Sequence, residues 1–284
     1  MGVQRVTGWL AALSGGHRAD LSGKVRSKLN FGRKQAAEET FKFKWTEAVS
    51  REEWTVYSEA IAAVSSTRVP FMLGGGFALA AYTGRWRDTK DVDFYIYPGD
   101  RDVVVSALTD AGFDDLFVQR PYDRKWIYRS VRSGVITDII WSMANQRAQV
   151  DREWFDRAGS LELHGHELLI MPPEEIVWCK LYILQRDHCD WTDVFNLLYA
   201  VGPKLDWKHL ISRVDEDLPL LRAVLEVYGW LCPEEVLKLP GWIWRRLKLA
   251  PPKAGGKQKR NHIRLLDSRG WFAALQPPDR KLEV

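Results

Sequence analysis

Cysteine is scarce in this chain. The 284 residues contain three, Cys179, Cys189 and Cys232. No two stand at CxxC spacing or at the spacing of a Cys/His zinc site, so neither a disulfide framework nor a zinc centre is expected. A reducing, cytoplasmic setting is the simplest expectation. Long apolar runs are missing as well. None approaches the roughly 20 residues that a membrane-spanning helix needs, and no membrane partner is expected. Met1 to Ala12 lacks the charged-then-apolar order of a signal sequence, and Val6 breaks a myristoylation pattern. Internal repeats are absent. Charge of one sign is only mildly in excess, at +4, which suits a phosphate-rich ligand without demanding nucleic acid.

What is present is a globular composition, 46% apolar and 27% charged, on a chain long enough for one large domain or two modest ones. Lys and Arg concentrate in two places, Arg18 to Lys44 and Lys238 to Arg264. Such runs are either solvated surface or contacts for RNA or DNA. Residues 1–48 read as a basic N-terminal extension with doubtful order, punctuated by Gly15-Gly16, Ser22-Gly23 and Gly32. A firm helix start follows: Ser50 and Glu53 make a capping box, and Trp54, Tyr57, Ile61 and Val64 recur at helical spacing.

Strands and helices then alternate. Val69 to Leu73 reads as a strand running into Gly74-Gly75-Gly76 and a helix through Tyr82. Asp91 to Tyr97 alternates with period two and closes at Pro98-Gly99. A helix spans Arg101 to Ala111. Strands are expected over Lys125–Ser130 and Val135–Trp141, paired through a turn near Ser133-Gly134, and a hairpin over Leu161–Ile170 turns at Gly165. From Pro172 the pattern is helical, over 173–186, 190–200, 206–214 and 217–229. Pro173 stands where a first-turn proline belongs, with Glu174 and Glu175 behind it. The expected division is an extension over 1–48, a strand-helix core over 49–171, a helical domain over 172–238 and a basic tail over 239–284. The fold class is α+β: a short mixed sheet with flanking helices, followed by a helical C-terminal part.

The chemistry concentrates in Leu73 to Ile96. Asp91 and Asp93 stand two apart on a strand, so both carboxylates point to one face while Val92 turns into the core. Like charges this close repel by a few kcal/mol at surface-like dielectric. A divalent hard cation with oxygen ligands neutralises them. Just upstream, Gly74, Gly75 and Gly76 open a helix and offer backbone N–H groups to phosphate oxygens. Arg85, Arg87 and Lys90 lie between turn and carboxylates, placed to meet a triphosphate. A third carboxylate is expected from Asp138, alone among apolar neighbours in its strand, where an unpaired charge is costly.

Gly74-Gly-Gly, Gly84-Arg85 and Thr89-Lys-Asp91-Val-Asp93-Phe together resemble the signature of the polymerase-beta-like nucleotidyltransferase superfamily. The segment is most similar to bacterial minimal nucleotidyltransferases, abortive-infection toxins and aminoglycoside nucleotidyltransferases. Pro173-Glu-Glu-Ile-Val-Trp-Cys-Lys180 and Asp190-Trp-Thr-Asp193 resemble the lysine helix and Asp-x-x-Asp helix that follow the core in abortive-infection-type members. The resemblance covers roughly 50 to 230. It implies two magnesium ions, or manganese in their place, on Asp91, Asp93 and Asp138. It also implies an NTP as substrate, Gly74 to Gly76 around its phosphates, and Lys180 reaching the triphosphate. Asp190 and Asp193 would orient Lys180 or act near the acceptor; a helix cap with a first-turn acid is the plainer role. The expected activity moves a nucleoside monophosphate onto a hydroxyl of RNA or tRNA, protein or a small molecule such as an aminoglycoside. A catalytically inactive nucleotide-binding or RNA-binding protein of the same fold is the alternative.

Two features depart from the superfamily pattern. A serine often follows the first glycine, and here the turn is all glycine. Phe77 stands where antibiotic-modifying members often have tryptophan. His164 and His166 flank Gly165 without a third ligand nearby and read as hairpin surface. Cys179 and Cys189 read as packing residues. Trp242 to Lys248 mixes aromatic and basic residues and reads as a docked helix, with base stacking or an anionic membrane surface as alternatives.

Overall fold

The computed structural model describes residues 49–86, 89, 91–253 and 262–266. The expected N-terminal extension over 1–48, Arg87, Lys90 and most of the basic tail beyond 253 lie outside the described residues.

Helix α1 (Arg51–Ser66) begins on the anticipated capping box. Ser50 Oγ accepts from the Glu53 N–H at 3.1 Å, and Glu53 Oε2 accepts from the Ser50 N–H at 3.2 Å. Its buried stripe, Tyr57, Ala60, Ile61 and Val64, recurs every three or four residues. Strand β1 (Phe71–Leu73) leads through Gly74 into helix α2 (Gly75–Thr83), which Gly84 ends in the left-handed conformation. Then come β2 (Asp91–Ile96), α3 (Arg101–Asp110), a two-residue β3 (Asp114–Asp115), β4 (Ile127–Arg132), β5 (Val135–Ile140), a five-residue α4 (Arg152–Asp156), β6 (Gly159–Leu163) and β7 (His166–Ile170).

These strands make one seven-stranded sheet in the order β3-β4-β5-β2-β1-β7-β6. The pairs β2–β5 and β1–β7 are parallel and the others antiparallel. Parallel pairing puts Asp93 directly beside Asp138. The hairpin β4–β5 turns on Ser133 and Gly134, both at positive φ (50° and 80°), the two-residue geometry that matches strand twist. That turn fixes the register and sets Arg129 opposite Asp138.

The second half is helical: α5 (Pro173–Leu181), α6 (Trp191–Val201), α7 (Trp207–Val214), α8 (Leu218–Leu231), α9 (Trp242–Arg246) and a short α10 (Ile263–Leu266). Helix α5 has almost no exposed side chain. Ile176, Val177 and Leu181 are buried in the core, and Glu174, Glu175 and Lys180 are buried with them. It packs against α2, α6 and α7, so each buried aliphatic contributes roughly 1.5–3 kcal/mol as an upper figure. Ile243 and Trp244 bury α9 against the body while Arg245 and Arg246 face solvent, the docked helix expected from the sequence. Among the described residues no helix is long and apolar enough to cross a membrane.

The expected helix over 173–186 ends at Leu181. Ile183 and Leu184 prolong the apolar pattern, but they lie in a turn closed by the Leu184–Cys189 bridge. Strand β3 and helix α4 have no counterpart in the sequence reading. Each is too short to display a period.

Candidate active site

The sheet, α2 and α5 enclose a cleft of about 330 Å³, lined by Gly75, Gly76, Asp91, Asp93, Asp138 and Lys180 among others. Asp91 and Asp93 share one face of β2, with Val92 and Phe94 fully buried on the other. Asp138 reaches the same place from β5 and is 1% exposed. One carboxylate oxygen from each of the three lies within 4.8 Å of the others. Cross-strand like charges destabilise a sheet unless something neutralises them. The consequence shows in protonation: burial, then Asp91 and Asp138, hold the Asp93 carboxyl well above the usual carboxylate range.

The glycine turn is shaped around these carboxylates. The Gly74 N–H donates to the Asp93 carbonyl at 3.0 Å. Gly75 has φ +48°, and a Cβ there would lie 1.7 Å from Asp93 Oδ2. Only a residue without a side chain lets the start of α2 approach β2 this closely. The first-turn N–H groups of Gly75 and Gly76 have no carbonyl of their own helix to bond and carry the positive end of its dipole.

Two residues brace the carboxylates. Thr89 Oγ1 donates to Asp91 Oδ1. Arg129 grips Asp138 with a fork, Nε donating to Oδ1 at 2.9 Å and to Oδ2 at 3.1 Å, and Nη2 to Oδ2 at 2.6 Å. Burial pushes the Asp138 carboxyl up, and although Arg129 pulls it down the net direction is upward.

Lys180 enters the cleft from α5. Its Nζ lies 2.5 Å from Asp190 Oδ2 and 2.8 Å from Asp193 Oδ2. Burial alone would lower its pKa, but the two aspartates outweigh it and hold the ammonium above its ordinary value. Asp190 stands at the N-cap of α6 without a side-chain capping bond. Its carboxylate is spent on Lys180 and, through Oδ1, on His188 Nε2 at 2.8 Å. Behind the cleft, the fully buried Glu175 accepts from His209 at 2.7 Å and from Arg213 at 3.3 Å, tying α5 to α7.

The structure therefore brings together Gly75, Gly76, Asp91, Asp93, Asp138, Lys180 and Asp190 in one lining, with Asp193 on Lys180 and Gly74 on β2. Arg85 follows Gly84 with its N–H on Thr83 Oγ1 at 3.3 Å, and it is not part of that lining. Arg129, Thr89 and His188 were missed from sequence. Counting residues outward from the Ser133-Gly134 turn would have found Arg129; nothing local marks His188. His164 and His166 lie against Trp54, with ring centroids 4.3 and 6.2 Å away, and belong to the hairpin surface. Burial pushes the Cys179 thiol up, consistent with a packing residue, whereas Cys189 is exposed in the turn closed by its β-bridge to Leu184 and is not a packing residue.

A mixed sheet presenting carboxylates from two parallel neighbours beside a glycine turn is the arrangement of the nucleotidyltransferase superfamily. A family described as uncharacterised nucleotidyltransferase matches residues 28–233, and the chain belongs to it. A search of curated proteins finds no match. Several solved structures are similar to the chain at low identity. The antibiotic-resistance factor ANT(2'')-Ia is 16% identical, covers 70% of this chain and 95% of its own, with a TM-score of 0.38. An antigenic nucleotidyltransferase-like protein from Paracoccidioides brasiliensis is 18% identical over 67% of this chain and 95% of its own, TM-score 0.41. JHP933 from Helicobacter pylori is 16% identical over 70% and 93%, TM-score 0.36.

Proposed function

We propose that the chain transfers a nucleoside monophosphate from an NTP to a hydroxyl acceptor, with release of pyrophosphate, and that divalent ions held by Asp91, Asp93 and Asp138 are required. The observation that carries this reading is the meeting of three carboxylates beside the Gly75 turn. The residues fit such ions: the donors are oxygens only, as magnesium or manganese prefers, and the described cations nearby leave the cluster short of positive charge. Bound there, the ions would neutralise triphosphate charge and lower the pKa of an acceptor hydroxyl.

The chain's own groups supply the rest. The N–H groups of Gly75 and Gly76 receive phosphate oxygens at the start of α2. Lys180, kept protonated and aimed by Asp190 and Asp193, places a fixed positive charge where negative charge builds up during transfer. The covering of α5 by α6 and α7 keeps that lysine from wandering and keeps water from screening it.

The acceptor class is RNA, protein or a small molecule, in a cytoplasmic setting. Incubation with each α-labelled NTP, magnesium and cell extract identifies it by what becomes labelled. Asp93→Ala is expected to abolish labelling while leaving the fold intact. Labelling by that variant at the wild-type level would rule the site out.

A further inference from the structure

The fork between Arg129 and Asp138 has a consequence for how ligands enter. Both oxygens of the third carboxylate are already engaged by a guanidinium. Arginine does not lose its charge at any accessible pH, so an ion reaching Asp138 meets another cation already in place. Asp138 is buried, and a buried carboxylate stripped of its partner is costly. The exchange of one cation for the other is therefore coupled: the carboxylate does not wait bare between them.

Arg129 is built to make that exchange. Its main chain is anchored, the N–H donating to the Tyr122 hydroxyl at 2.9 Å and the carbonyl accepting from it at 3.3 Å. Its side chain is 36% exposed and lines the cleft. Among the described residues Nη1 makes no hydrogen bond. A planar guanidinium fork fits a phosphate as well as it fits a carboxylate.

We propose that Arg129 is the cation the carboxylate cluster holds when metal is absent. It gives up Asp138 to an incoming divalent ion when a nucleotide phosphate takes the guanidinium. Metal and NTP then bind cooperatively, and neither ion nor nucleotide alone completes the site. This inference rests on the metal-binding reading above and adds the coupling.

The test is calorimetric titration of Mn²⁺ into the full chain, with and without a non-hydrolysable α,β-methylene NTP analogue. The wild type is expected to bind Mn²⁺ weakly alone and at least about tenfold more tightly with the analogue. In Arg129→Gln the competing charge is gone, so Mn²⁺ alone binds about tenfold more tightly than to wild type, and the analogue adds about twofold or less. Arg129→Lys keeps a charge beside the buried carboxylate but loses the fork. It is expected to move the same way by about threefold, and supplies the reading should the glutamine variant not fold. Variants that bind Mn²⁺ alone no more tightly than wild type would overturn the Arg129 proposal and leave the metal site standing. A wild type that takes up no Mn²⁺ even with the analogue would overturn both.

Discussion

Gly75→Ala separates the chemistry of the glycine turn from its contribution to stability. The residue has φ +48°, and an added Cβ falls 1.7 Å from Asp93 Oδ2 and 2.7 Å from its Cγ. The left-handed backbone costs a side-chain-bearing residue about 1–2 kcal/mol. The clash is relieved by rotating the short Asp93 side chain, which is cheap for the fold and ruinous for the site. For a chain of this size that stability loss corresponds to a Tm drop of roughly 2–8 °C. Displacing a carboxylate of the proposed metal site by an ångström or more is expected to cost about 100-fold or more in turnover. Gly74→Ala is the contrasting case. Its Cβ would lie 2.1 and 2.6 Å from the ring of Tyr95, a buried side chain that cannot step aside, so about 1–3 kcal/mol of overpacking is added with the carboxylates left in place. Urea unfolding gives the stability of each variant, and pyrophosphate release gives turnover. A Gly75→Ala protein with wild-type turnover and Mn²⁺ affinity would refute the proposed closeness of α2 to Asp93.

Three further outcomes follow from the buried charges. Burial and its acidic neighbours raise the folded pKa of Asp93 above 3.8. Its contribution to stability is therefore complete below about that pH and is lost as pH climbs through the raised value. Thermal scans without divalent ions should show Tm falling over that window, and the Tm gain from Mg²⁺ should grow with pH as the proton leaves. Lys180→Met leaves Asp190 and Asp193 buried without their cation and should destabilise the chain by about 3–5 kcal/mol. Adding Asp190→Asn and Asp193→Asn should recover most of that stability in urea titrations without recovering turnover. Glu175→Ala removes the buried acceptor that His209 and Arg213 share, while Arg213 keeps its fork on Asp151, and a loss of about 1–3 kcal/mol is expected from chemical denaturation.

The parts of the site that could be read from sequence are those written locally. A glycine turn followed by Asp91-Val92-Asp93 shows its chemistry through spacing alone, because a strand's period of two decides which side chains meet. Asp138 was legible as a charge among apolar neighbours. Arg129 was not, because its meaning depends on a partner nine residues away through a hairpin register. The helix containing Lys180 was placed correctly at its start, where Pro173 and two glutamates mark it, and run too far at its end. Nothing in Tyr182 to Asp190 announces that the chain must leave the helix so that Asp190 can return to Lys180. Short β3 and α4 carried no period at all; their place is set by the sheet edge and the core against which Trp154 packs. The belonging of α5 to the cleft was legible through Lys180, which the family resemblance marks; its fully buried Glu175 looks, in sequence, like one more first-turn acid.

The three-carboxylate metal site can be tested with crystals grown with Mn²⁺ and the non-hydrolysable NTP analogue, with diffraction recorded for anomalous scattering. Such a site places a manganese peak about 2.1 Å from oxygens of Asp91, Asp93 and Asp138, with the analogue's phosphates against the N–H groups of Gly75 and Gly76. Analogue bound in the cleft with no anomalous peak at the three carboxylates would contradict it.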